Sequence, residues 1–130
     1  MRSEAYLRVL ADEGTVRAFA EEIGPAIGTI KQTRAKTTPA GDRGGWNWQT
    51  VPVPIDMDNV DEGLRSLLLA HRWGFLAFRK IKTVADIYLE LVTRFEPGED
   101  PGGLFLSAET IQLLNEMGAA FDHDVVTTSS

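Results

Sequence analysis

Two stretches of the chain alternate apolar and polar residues at the two-residue period of a strand covered on one side. In "VADIYLELVTRF" (84–95), Ile87, Leu89, Leu91, Thr93 and Phe95 share one side, and Asp86, Tyr88, Glu90, Val92 and Arg94 the other. In "AYLRVLA" (5–11), Ala5, Leu7 and Val9 oppose Tyr6, Arg8 and Leu10. Three other stretches carry the helical period. Val16, Phe19, Ala20 and Ile23 form one stripe. Thr15 is the predicted N-cap, and Gly24 and Pro25 the stop. Leu64, Leu67, Leu68 and His71 form a second stripe after the cap-rich "DMDN" (56–59), with a break expected at Trp73-Gly74 and a further short turn or two in "FLAFRKI" (75–81). Ser107 caps a third helix, with Ile111, Leu114 and either Leu113 or Met117 inward and Gly118 at its end.

The segments between are read from their punctuation. "AIGTIKQT" (26–33) is a weaker strand because of its glycine. "RAKTTPAGDRGG" (34–45) and "EPGEDPGG" (96–103) are loops. "WNWQTVPVPI" (46–55) is a strand whose two prolines place its end at a sheet edge. "AAFDHDVV" (119–126) closes the fold, and 127–130 fray. The order β-α-β-β-α-β-α-β predicts a single α+β domain over 1–130. It has a mostly antiparallel sheet of about five strands, with two to three helices on one face. "YLRVLADEGTVRAFAEEIGPAI" and "YLELVTRF…LSAETIQLLNEMGAAF" echo each other, a pseudo-repeat of β-α-β units of the ferredoxin-like kind.

Several of these pieces together carry a resemblance. They are Glu22-Ile23-Gly24-Pro25, Gly44-Gly45-Trp46-Asn47-Trp48, Gly102-Gly103-Leu104-Phe105-Leu106-Ser107-Ala108-Glu109 and Leu113-Leu114-Asn115-Glu116-Met117-Gly118, running into Phe121-Asp122-His123-Asp124-Val125. With them the chain resembles the bacterial domain-of-unknown-function family numbered 4279 (DUF4279). The resemblance covers most of the chain and implies neither an activity nor catalytic residues.

Composition narrows the function classes. The chain has 130 residues, 43% of them hydrophobic, no cysteine, and a net charge of −6. Thiolate chemistry and disulfides are excluded, and the acidic balance argues against general nucleic-acid binding. With no membrane-length apolar run and no secretory signal pattern, the expected location is cytoplasmic. Charge is nonetheless segregated. Lys31, Arg34, Lys36 and Arg43 meet one acid, Asp42, whereas 84–124 holds nine acids and only Arg94.

No catalytic constellation emerges. Asp122 and Asp124 share a strand face and could bind a hard cation with Glu90 from a neighbouring strand, but His123 points the other way. Solvated acids are the simpler account, and no metal, cofactor or catalytic residue is assigned. Trp46 and Trp48 share a face opposite Asn47, yet Val51, Val53 and Ile55 join the Asn47 face. Either a bulge flips the register and the pair is core, or the pair lies outside. The candidate binding residues are Trp46, Trp48, Tyr6, Tyr88, Arg8 and Arg94 on an open sheet face, with Arg34, Lys36 and Arg43 of the basic loop. The expected function is a non-catalytic binding module, of immunity-like size and character. Its partner is another protein or a second copy of the chain. A small metal-dependent hydrolase is the alternative, or a small-ligand sensor with a pocket beside Trp73 and Phe75.

Overall fold

The computed structural model describes residues 1–23, 28–32, 36–38, 41–43, 45–79, 85–100 and 102–128. Its elements are β1 (Arg2–Ala11), α1 (Glu13–Ile23), β2 (Gly28–Gln32), β3 (Lys36–Thr38), β4 (Gly41–Arg43), β5 (Trp46–Thr50) and β6 (Val53–Ile55), followed by a 3₁₀ turn (Met57–Asn59), α2 (Val60–Arg79), β7 (Asp86–Phe95), α3 (Ala108–Met117) and β8 (Ala119–Thr127). The fold is α+β. Five strands run in the order β2-β5-β1-β7-β8, and β6 also pairs with β1, making six strands. All these pairings are antiparallel except β7 with β8. β3 and β4 form a separate hairpin within the stretch expected to be an irregular loop.

The two β-α-β units differ in kind. β1-α1-β2 is split, because β5 lies between its strands. β7-α3-β8 is closed, with its parallel strands directly paired.

The core lies on one face. Ala5, Leu7 and Val9 of β1 and Leu89 and Leu91 of β7 meet Val16 and Phe19 of α1, Leu64, Leu68 and Phe75 of α2, and Met117 of α3 in one buried cluster. Trp48 fills its centre. Its ring packs edge-on against Phe19, with centroids 4.7 Å apart, and Phe19 packs edge-on against Phe75 at 4.9 Å. Edge-to-face pairs of this kind add to the stabilisation their burial already gives.

The phase conflict in 46–55 is resolved by a bulge. β5 pairs with β1 as Arg8↔Gln49 and Val9↔Trp48, whereas β6 pairs as Glu4↔Pro54 and Ala5↔Val53. Paired positions sum to 57 in the first ladder (8 + 49) and to 58 in the second (4 + 54). One extra residue has therefore entered at Val51-Pro52. Trp48, Thr50 and Ile55 all point inward as a result, and Val51 is exposed. The Thr50 hydroxyl accepts the Leu7 N–H at 3.0 Å next to this break.

Three local expectations change. α1 begins at Glu13, because Asp12 and not Thr15 caps it: Asp12 Oδ1 accepts the Thr15 N–H at 2.8 Å. Gly24 and Pro25, the expected stop, lie outside the described residues. Trp73-Gly74 does not break α2. A Cβ on Gly74 would lie 2.7 Å from Ile23 Cδ1, so the glycine lets α1 approach α2 closely. Ile111 faces outward at 54% exposure, and Thr110, Leu113, Leu114 and Met117 form the inward stripe of α3. The predicted ends of that helix hold: Ser107 accepts the Thr110 N–H, and Gly118 adopts φ 70°, ψ 26°.

Candidate functional site: the outer sheet face

Cross-strand register places one row of residues from each strand on the face turned away from the helices. Arg8 stands beside Gln49 and Tyr88, Tyr6 beside Glu90, and Arg2 beside Arg94. Glu90 in turn stands beside Asp122, and Val92 beside Asp124. Among the described residues no helix packs on this face.

Tyr6, Tyr88, Arg8 and Arg94 therefore share this face, each partly exposed, with Arg8 and Tyr88 side by side and Arg94 at the other end of the ladder opposite Arg2. The Arg8 guanidinium lies over the Tyr88 ring, 5.3 Å from its centroid, and its Nη2 is 3.4 Å from Glu90 Oε1. Arg94 donates to Glu4 at 2.9 Å. An arginine set between a ring and a carboxylate is held in one pose, which lowers the entropy lost if it then contacts a partner.

The tryptophans do not join this face. Trp48 is fully buried and Trp46 lies partly buried on the helix side, where the Arg17 guanidinium of α1 stands 5.5 Å from its ring centroid. The inserted residue at Val51-Pro52 is the reason, since it lets both Trp46 and Ile55 face inward. Lys36 and Arg43 are paired positions of the β3–β4 hairpin, and Arg34 lies outside the described residues. Trp73 is 76% exposed while Phe75 is fully buried, so the two lie on different sides of α2.

Coverage of the outer face is uneven. Leu10, Asn47, Glu90 and Val92 are buried although they point away from the helix layer. Toward β8, Asp122, Asp124 and Val126 are exposed. Contact with another molecule is thus most accessible on the β7–β8 side.

Glu90 is the feature that sequence reasoning valued too little. The residue is only 2% exposed, and oxygens of Glu90, Asp122 and Asp124 lie within 4.8 Å of one another. Its pKa is pushed up from 4.5 to about 7, first of all by burial. The hydrogen bond shared with Asp122 and the negative charges of Asp122 and Asp124 contribute to the same rise, against the pull of Arg8. Near neutrality the group therefore exchanges a proton with its surroundings. Three convergent carboxylates are also ligands a hard cation accepts. Here Arg8 and the shared proton already supply positive charge to the same oxygens.

The histidines serve different places. His123 Nε2 is 2.9 Å from Thr93 Oγ1, which accepts from the Ser3 hydroxyl at 3.0 Å, a buried polar chain on the inner face. Ser3 occupies the inner row of β1, and a serine in register with Ala5, Leu7 and Val9 was the signal available for that chain. His71 is half-buried, which lowers its pKa, and it borders an apolar groove of about 410 Å³ between β6 and α2 with Val53, Ile55 and Leu67.

Comparison adds no relative. Neither a protein-family model nor a curated protein matches the chain. No helix among the described residues is long and apolar enough to cross a membrane.

Proposed function

We propose that the protein is a non-catalytic binding module that takes a protein partner on the β7–β8 side of its outer sheet face. The observation that supports this is the half-exposed set Tyr6, Arg8, Tyr88 and Arg94 on a face free of helices, with Arg8 fixed by Tyr88 and Glu90. Tyrosine and arginine are enriched among the few residues that dominate interface energetics. The exposed carboxylates beside them favour a basic partner surface. A neutralising protein of the immunity kind is one form this module can take, in keeping with the cytoplasmic location expected from the sequence.

Catalysis has less support. An acid–base residue works from a cleft that positions its substrate. Glu90 is buried within the outer row of the sheet, and the groove between β6 and α2 is lined by other residues.

The test is a binding measurement on a partner identified by affinity capture and then purified. Arg8→Ser with Tyr88→Ser is expected to weaken calorimetric affinity by tenfold or more, from the roughly 2 kcal/mol a hot-spot side chain contributes. Trp73→Ser, on the helix layer, is expected to leave it unchanged. Equal affinities for all three proteins would refute the assignment.

A further inference from the structure

The same reading is deepened by the edge of the sheet. β8 is the last strand of the sheet, and among the described residues its only neighbour is β7. It runs for nine residues in unbroken register, from Ile87↔Ala119 to Phe95↔Thr127. Natural edge strands are blunted by shortness, proline, charged side chains or a bulge. "AAFDHDVVT" is long, without proline or bulge, and its charges Asp122 and Asp124 stand on the outer face alone, so its outward N–H and C=O groups form a template for a strand whose charges oppose them.

The side chains beside that edge differ by face. On the outer side are the exposed acids Asp122 and Asp124. On the inner side Val125 is 47% exposed. Above it runs α3, whose Glu109 and Glu116 reach Arg65 and Arg72 of α2. Ile111 is two residues beyond Glu109, about 200° around the helix at ~100° per residue, and so points away from α2. Ile111 and Val125 are thus exposed apolar side chains of the helix layer and of the inner row of β8.

We propose that β8 binds an extended segment of a partner protein by strand addition, and that this segment alternates basic with apolar residues. The basic side chains stand opposite Asp122 and Asp124, and the apolar ones lie on the inner side, that of Ile111 and Val125. This inference rests on the binding-module reading above and names its mode. A second copy of β8 is a poor occupant. Antiparallel pairing about His123 would set Asp122 of each copy opposite Asp124 of the other, and like charges directly across a ladder are destabilising. Strand addition takes its affinity from backbone hydrogen bonds and its specificity from the alternate side chains.

The probe is an end-blocked peptide alternating lysine with valine, read by amide hydrogen exchange and calorimetry on the intact chain. Protection of backbone amides in 119–127 is expected. A glutamate–valine peptide is expected to bind about tenfold more weakly, the effect of one well-placed opposite-charge contact. Asp122→Lys with Asp124→Lys, both at exposed positions, is expected to reverse that preference. Ile111→Lys is expected to weaken the lysine–valine peptide without altering the melting temperature. No protection of β8 at millimolar peptide, or equal binding by wild type and the charge-reversed variant, overturns the proposal. If β8 stays unprotected while a partner still depends on Arg8 and Tyr88, only the strand-addition mode fails. If neither dependence is seen, the binding-module reading fails with it.

Discussion

Replacing Glu90 with glutamine tests how the outer face is held together. The folded protein keeps the Glu90 proton up to about pH 7, whereas an unperturbed glutamate releases it near 4.5. Between those values the folded state binds more protons than the unfolded state, so stability falls as pH rises. The gap sets a ceiling of about 3 kcal/mol, at about 1.4 kcal/mol per pH unit. Solvent screens the exposed Asp122 and Asp124, so the expected loss between pH 5 and pH 8 is about 1–2 kcal/mol. Glutamine imitates the protonated carboxyl and cannot ionise. Glu90→Gln is therefore expected to match wild type at pH 5 and to exceed it by about 1–2 kcal/mol at pH 8. Urea denaturation across that range measures this, with carboxyl NMR titration of Glu90 as the direct check. The other groups packed against Glu90 (Tyr6, Arg8, Tyr88, Asp122 and Asp124) are common to both proteins. Parallel stability curves for the two proteins from pH 5 to pH 8 would refute the account.

Two further predictions concern the core. Trp48→Ala is expected to cost about 3–5 kcal/mol in urea unfolding, since it empties the centre of the aromatic cluster, whereas Trp73→Ser should stay within about 0.5 kcal/mol; acrylamide should quench Trp73 readily and Trp48 hardly at all. Gly28→Ala is expected to cost about 1–3 kcal/mol in the same assay, because its Cβ would lie 2.6 Å from both the Gln49 carbonyl oxygen and the Trp48 ring.

Much of the fold was legible because the patterns there are local. The rows Ala5-Leu7-Val9 and Ile87-Leu89-Leu91 announce both the strands and their covered side, and Ser107 and Gly118 bracket α3 as caps do. What failed depended on partners far along the chain. Gly74 reads as a helix breaker until Ile23 is known to press against it. Gly28 reads as a weak point in a strand until the Trp48 ring is seen to occupy the space its side chain would need. Ile111 fits the apolar period of α3, but α3 lies above the sheet edge and leaves that side uncovered. For the candidate site, alternation correctly put Tyr6, Arg8, Tyr88 and Arg94 on one face. The tryptophans could not be placed from alternation alone, since a bulge between Thr50 and Val53 reverses parity without any unusual residue to mark it beyond Pro52. The closeness of Glu90 to Asp122 and Asp124 was available as a guess about strand neighbours, but its burial was not.

The uneven cover of the outer face bears on how such a protein can bind without endangering its fold. The apolar cluster is built from the inner rows and the helices, and none of Tyr6, Arg8, Tyr88, Asp122 or Asp124 belongs to it. Changes at those positions alter charge and contact area while leaving the helix–sheet packing in place, and at the exposed Asp122 and Asp124 they cost little. Glu90 is the exception, because its proton equilibrium couples the outer face to stability. A basic partner side chain placed beside Asp122 would stabilise the ionised form and draw the proton off Glu90. Binding near neutral pH should then release protons, and its affinity should rise with pH through the window in which the free protein loses stability. That opposition follows from one buried carboxyl shared between two functions, whichever strand or surface the partner presents.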